Sequence, residues 1–231
     1  MTGARGTLVQ AQKDILEVMG IDVTAIPHTI AVEVSAPGDR NSYYSGRHIS
    51  IKQEDASRID VYWHEYGHLI HDVFFHEQSL VLGEEGKTSY AETNGHENFA
   101  EAFEQTIALT LAGKKLYRRN IRLLAYIADV QAHGTYLERR AQVKLHILDA
   151  IRSALGTDNA TVAEVRAWLN SRAGVKQSIV TATLAHIQAQ QWQLKFTEAD
   201  IAILFDNALR RVVGRTITGR PITADTPLNL F

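Results

Sequence analysis

Residues 59–75 read IDVYWHEYGHLIHDVFF, with His64 and His68 four positions apart. The apolar residues of this segment recur at helical spacing, which predicts a helix with one buried side. Side chains four positions apart on a helix lie one above the other on the same face. Both imidazoles can therefore reach one metal ion, at the zinc–nitrogen distance of about 2.0–2.1 Å.

Glu65 comes directly after the first histidine, which places its carboxylate beside a water molecule held by such an ion. Zinc lowers the pKa of that water toward about 7, and a neighbouring carboxylate can take its proton. Gly67 has no side chain, so the backbone of a facing element can approach closely. The segment predicts either a zinc-dependent hydrolytic site or a surface helix with two incidental histidines.

A catalytic zinc site needs three protein ligands and one open position. Residues 97–103 read ENFAEAF and fall within a second predicted helix, residues 96–111. Glu97 and Glu101 share one face of that helix, and we predict Glu97 as the third ligand. Glu101 is predicted to accept a hydrogen bond from the free ring nitrogen of a ligating histidine.

The segments HEYGH at 64–68 and ENFAEAF at 97–103 together resemble the gluzincin metallopeptidases. They are most similar to the group that contains the anthrax lethal factor catalytic domain and the Pro-Pro endopeptidases. The resemblance covers roughly residues 8–113 and implies a zincin-like domain that hydrolyses peptide bonds, with Glu97 binding zinc. It also implies that Tyr90, seven residues before Glu97, stabilises the oxyanion.

By the same resemblance, the predicted strand at 47–52 is the edge strand along which an extended substrate peptide lies. The link from His68 to Glu97 is short for this group, so the loop that shapes the cleft is expected to be trimmed. The metzincin pattern fits less well, because it needs Gly and His where this chain has His71 and Phe74. Intracellular antirepressor peptidases, which join His-Glu-x-x-His to a DNA-binding module, are a further family of similar pattern.

Three other histidines and one acid flank the motif and are also of residue types that bind metals. His71, His76 and His96 are alternative ligands, but His96 directly precedes Glu97, and adjacent helical residues point about 100° apart. Asp72 lies on the motif helix itself and is interpreted as a supporting or surface acid.

Alternation predicts strands at 29–35 and 47–52. Helical periodicity and capping signals predict helices at 8–19, 59–75, 96–111, 116–132, 136–155, 161–169, 175–191 and 197–213. The expected fold class is α+β and mainly helical, with a small sheet. We expect a zincin-like metallopeptidase domain at 1–113, a basic helical accessory region at 114–215 and an extended tail at 216–231.

Composition narrows the function classes further. The chain has 231 residues and no cysteine, which excludes disulfide scaffolds, cysteine-rich zinc modules and thiol nucleophiles. Its first ten residues lack the features of a secretory signal, and no apolar stretch approaches the roughly 20 residues that span a bilayer. A cytoplasmic protein without a membrane partner is expected, although a phage-delivered or secretion-delivered protein would look the same.

Charge is unevenly distributed: residues 1–104 carry a net −10 and residues 105–231 a net +8. In the basic half, the order and lengths of the predicted helices over residues 145–196 resemble those of a winged helix. Such a domain would direct basic side chains at an anionic partner such as DNA. The predicted phosphate contacts are Arg166, Arg172, Lys176 and Lys195. A plain helical bundle with solvated basic residues explains the same pattern and is favoured.

The sequence thus predicts a zinc-dependent endopeptidase that acts on a protein or peptide substrate. Its Zn²⁺ ligands are His64, His68 and Glu97, with Glu65 as general base and Tyr90 as electrophilic helper. One alternative is a regulatory protein in which peptidase and DNA-binding parts cooperate. Another is a virion or assembly component that keeps the fold for docking, with little or no catalysis.

Overall fold

The computed structural model describes residues 5–6, 10–26, 30–35, 41–46, 48–76, 78–156 and 160–210. Within these ranges the fold is α+β, mainly helical with one small sheet, as expected from the sequence. The chain divides into two compact units, Met1–Tyr136 and Leu137–Phe231. None of the helices in the described ranges is long and apolar enough to cross a membrane.

The first unit contains a sheet with the strand order β1-β2-β4-β3. Its strands are β1 (Arg5–Gly6), β2 (Ile30–Val34), β3 (Tyr43–Ser45) and β4 (His48–Ile51). β2 runs parallel to β4, whereas β1 and β3 pair antiparallel with their neighbours. The β-branched residues Ile49 and Ile51 of β4 are buried, so the strand is held by side-chain burial as well as by pairing on both sides.

The helices of the first unit are α1 (Gln10–Val18), α2 (Ile59–Phe75), α3 (Gly95–Leu111) and α4 (Arg118–His133). α2 carries the paired histidines and buries Leu69, Ile70 and Phe74 on its apolar side. It packs against α3, which buries Phe99 and Phe103. The two motif helices are therefore neighbours in the core, as their sequence pattern predicted.

Gly67 sets how closely α2 and α3 approach. A Cβ atom at this position would lie 2.8 Å from the Cα atom of Ala100, closer than real Cβ contacts allow. Ala100 on the facing helix is itself fully buried. The prediction that Gly67 permits close backbone approach is confirmed.

The sequence prediction for the sheet needs two corrections. The sequence predicted no strand between residues 35 and 47, but residues 43–45 form β3. Because β3 pairs with β4, the strand predicted as the edge lies inside the sheet, and β3 is the outer strand on that side of the described sheet. β3 is too short for alternation to be visible, and a tertiary contact holds it: the Tyr44 hydroxyl donates to Asp72 of α2 at 2.7 Å.

The second unit is built on helices α5 (Tyr136–Leu155), α6 (Val162–Ser171), α7 (Val175–Ala189) and α8 (Glu198–Arg210). Thr161 and Glu164 form the predicted capping box of α6. The wing of a winged helix would require strands after α7, and the described part of this unit has none there.

The first compact unit runs to Tyr136 and so includes α4, whereas the sequence predicts a domain boundary at residue 113, which stays a prediction. Two polar residues of the first turn of α4, Arg119 and Asn120, are fully buried and bond to α3. The predicted tail at 216–231 lies outside the described residues.

Candidate metal centre and active site

Three predicted ligands meet where α2 faces the start of α3. The Nε2 atom of His64 lies 3.0 Å from Oε2 of Glu97, and the Nε2 atom of His68 lies 3.4 Å from the same oxygen. One donor atom of each residue lies within 4.8 Å of the other two. The structure therefore brings together the residues that the sequence assigned to the metal.

These distances fit the coordination sphere of a small divalent ion. Two ligands at about 2.0–2.1 Å from a tetrahedral ion lie about 3.3 Å apart, close to the separations from Glu97 to His64 and His68. Two imidazoles and one carboxylate are also a donor set of catalytic zinc sites. Magnesium and calcium prefer all-oxygen surroundings, which this cluster does not offer.

The N-terminal cap of α3 fixes the position of Glu97. The Asn94 side chain accepts hydrogen bonds from the backbone N–H groups of His96 and Glu97, both at 2.9 Å. Such a cap defines where the helix begins, and a carboxylate in the first turn is stabilised by the helix dipole. Glu97 is thus held at the end of α3 that faces the two histidines.

Glu104 is a site residue that the sequence prediction missed. Its Oε2 atom lies 3.5 Å from Nδ1 of His64, the ring nitrogen turned away from Glu97. Burial lowers the pKa of His64, but the carboxylates of Glu104 and Glu97 outweigh burial and raise it overall. A carboxylate behind a ligating histidine orients the ring and increases its basicity.

The predicted role of Glu101 is corrected by its contacts. Its Oε1 atom accepts a hydrogen bond from Nη1 of Arg119 at 2.8 Å and another from the backbone N–H of Thr88 at 3.2 Å. Its Oε2 atom accepts from the Thr88 hydroxyl. Glu101 therefore bonds to the loop before α3. The carboxylate next to the second ring nitrogen of His64 belongs to Glu104 instead.

Glu65 and His68 are both shifted in pKa by burial. Burial raises the pKa of Glu65 to about 7, and the negative charge of Glu97 adds to the shift, while a backbone hydrogen bond from Tyr44 opposes it. Burial lowers the pKa of His68 to about 4, so its imidazole is neutral at neutral pH, the form that binds metals. A carboxyl that ionises near neutrality is suited to proton transfer.

Tyr90 lies at the open margin of the cluster, in the loop between α2 and α3. Its ring centroid is 5.6 Å from that of His64, and 56% of the residue is exposed. Partial burial raises the pKa of Tyr90, and the charge of Glu97 and a hydrogen bond to it act in the same direction. The phenol keeps its proton at neutral pH and can donate it in a hydrogen bond.

The alternative ligands lie outside the three-donor cluster. His71 is 1% exposed, stacks on Phe99 with ring centroids 4.5 Å apart, and hydrogen-bonds the carbonyl oxygen of Gln78 through Nε2. His96 packs edge-on against His71 at 5.3 Å. His76 is exposed at the end of α2, where its φ of 48° terminates the helix.

No protein-family model, curated protein or solved structure matches this chain.

In the second unit, part of the predicted phosphate-binding set has acidic partners. Lys176 forms an ion pair with Asp206 at 2.6 Å, and the neighbouring Gln177, which is not one of the predicted phosphate contacts, donates an amide hydrogen bond to Glu198. The other predicted phosphate contacts are Arg166 in α6, Arg172, whose guanidinium lies 6.0 Å from the centre of the Trp168 ring, and the exposed Lys195. Anionic groups beside α7 oppose the approach of a phosphate backbone, so the arrangement favours a packed helical bundle over a DNA interface.

Proposed function

We propose that this protein is a zinc-dependent endopeptidase of the gluzincin type, with a zincin-like first unit. The observation that carries the proposal is the convergence of two imidazole nitrogens and one carboxylate oxygen from neighbouring helices. Glu65, Tyr90 and Glu104 stand around this cluster in positions where each has a chemical use.

His64, His68 and Glu97 would hold the ion and leave one position open to substrate. Bound there, zinc would supply Lewis acidity toward a peptide carbonyl and toward water. Glu65 takes a proton from the attacking water and delivers it to the leaving amine. The Tyr90 phenol donates a hydrogen bond to the carbonyl oxygen as negative charge develops on it.

The outer strand β3 is the proposed docking strand for the substrate. The backbone of Tyr44 in this strand hydrogen-bonds Glu65, which places β3 directly beside the general base. A peptide that pairs with an exposed strand edge is held extended by backbone hydrogen bonds. We therefore assign substrate pairing to β3 in place of β4.

The decisive experiment is metal analysis combined with a peptide-library cleavage assay. Protein purified without chelator should hold about one zinc per chain, as a three-ligand site requires, and His64→Ala should lose it. Glu65→Gln should retain zinc but lose cleavage by about 10²–10⁴-fold, the usual contribution of a general base. The exposed control Glu54→Gln should behave as wild type.

Two results would contradict the proposal. A protein that takes up no metal even when zinc is supplied would have no functional centre at this cluster. Zinc binding without hydrolysis of any library peptide would instead support a docking role in a regulatory or virion assembly.

A further inference from the structure

A buried ion pair lies beneath the loop that carries Tyr90. The side chain of Arg119 is 0% exposed and that of Glu101 is 11% exposed, and their charged atoms are 2.8 Å apart. Burying two charges is costly and is tolerated when the remaining donors and acceptors are also satisfied. The destination of the other hydrogen bonds of this pair therefore indicates what it holds in place.

Three of those hydrogen bonds lead into the loop, whereas Nη2 of Arg119 donates to the carbonyl and side-chain oxygens of Asn98 in α3, both at 3.0 Å. Arg119 donates to the carbonyl oxygen of Gly86 at 3.2 Å, and Gln105 donates to the same oxygen at 3.0 Å. Glu101 accepts from both the backbone N–H and the hydroxyl of Thr88. The loop is thus fixed at two points just before Tyr90.

Thr88 carries the connection to Tyr90 itself. Its hydroxyl donates to Glu101 and accepts a hydrogen bond from the backbone N–H of Tyr90 at 3.2 Å. Thr88, Ser89 and Tyr90 are all exposed, so little packing is present to fix the loop at these positions. Hydrogen bonds to a charged carboxylate are stronger than those between neutral groups and suit such a task.

We infer that Glu101, held in place by its ion pair with Arg119, is a positioning residue. Its hydrogen bonds to Thr88 hold the Tyr90 phenol beside the three candidate metal ligands. The inference rests on the proposed peptidase function. A donor that stabilises developing charge must be held close to its productive position by supporting contacts.

The test uses Thr88→Val, which keeps the shape of the side chain and removes the bridging hydroxyl, with Thr88→Ser as its matched control. Hydrogen exchange of the segment 84–94 in the zinc-loaded protein should accelerate about tenfold or more in Thr88→Val. Thr88→Ser should exchange like wild type. This measurement does not depend on catalysis.

Kinetics then connect the loop to Tyr90. Thr88→Val should lower kcat about tenfold with little change in KM, because the lost contact matters in the transition state. In a Tyr90→Phe background the same substitution should have almost no further effect. An equal effect in both backgrounds, or unchanged hydrogen exchange, would overturn the inference.

Failure of the inference and failure of the proposed function give different results. If zinc-loaded wild type cleaves no peptide, the peptidase proposal fails, and the catalytic role of Tyr90 and its support fail with it. If wild type cleaves and Thr88→Val matches it in rate and in hydrogen exchange, only the positioning role of Glu101 is lost.

Discussion

The α2–α3 interface and the α7–α8 pair handle charge in opposite ways. Between α7 and α8, Lys176 is paired with Asp206, so the charges cancel. Between α2 and α3, two imidazoles face the carboxylates of Glu97 and Glu104, and no Lys or Arg pairs with those carboxylates among the described residues. Ionisable groups whose pKa values are shifted by burial and by neighbouring charges are typical of functional sites. The contrast supports the proposal that the chemistry lies in the first unit.

The substitution Gly67→Ala tests the packing of α2 against α3. In an open helix this change stabilises by up to about 1 kcal/mol, because Ala is the better helix former. Here the new Cβ would meet the Cα atom of Ala100, so α2 and α3 must separate. We expect a loss of about 1–3 kcal/mol in the free energy of unfolding, as overpacking usually costs, together with weaker zinc binding. Chemical denaturation and zinc titration measure both, and a stabilised variant with normal zinc affinity would contradict the packing argument.

Glu104→Gln tests whether the carboxylate behind His64 belongs to the centre. Loss of a partner of a ligating histidine typically weakens metal affinity about 10–100-fold, and we expect a decrease in this range. Competition with a chromogenic chelator measures it. The control is Glu92→Gln, an exposed residue of the neighbouring loop. Equal zinc affinities of the two variants would show that Glu104 does not support metal binding.

His71 should make stability depend on pH independently of the metal. Burial is the main cause that lowers the pKa of His71 to about 4. An unfolded histidine has a pKa of about 6.5, so between pH 6.5 and 4 the unfolded state binds the extra proton. Stability is therefore lost as pH falls through this window, by up to about 1.4 kcal/mol per pH unit for this group.

The variant His71→Phe isolates this contribution, since a phenyl ring can keep the stack on Phe99. Denaturation midpoints of the chelator-treated proteins would be compared across the same pH range. The slope should be smaller in the variant, with the remaining histidines common to both. Identical slopes would mean that His71 is protonated without cost in the folded protein.

The smallest effect is expected in the second unit. Lys176 and Asp206 have side chains 44% and 37% exposed, and exposed ion pairs contribute about 0–1 kcal/mol. Lys176→Met should therefore change stability by less than about 1 kcal/mol and leave zinc binding unaltered. If the wild type bound duplex DNA in a salt-sensitive way and this variant did not, Lys176 would contact a phosphate. The second unit would then have a binding function as well.

Helix geometry explains why one supporting acid was misassigned. At about 100° per residue, position i+4 lies about 40° from Glu97 around the helix axis, and position i+7 lies about 20° from it on the other side. Both Glu101 and Glu104 were therefore compatible with the ligand face. Arg119 of α4 decided between them, since its buried guanidinium pairs with Glu101 and leaves Glu104 beside His64.

Local periodicity and side-chain size were enough to predict the two motif helices, their close approach at Gly67 and three candidate ligands on them. Local pattern could not predict that β3 is the outer strand on its side of the described sheet, that α4 belongs to the first unit, or that Glu101 bonds to the loop. Each of these depends on contacts between residues distant in the chain. Helical periodicity records which residues share a face, but not which partner that face meets.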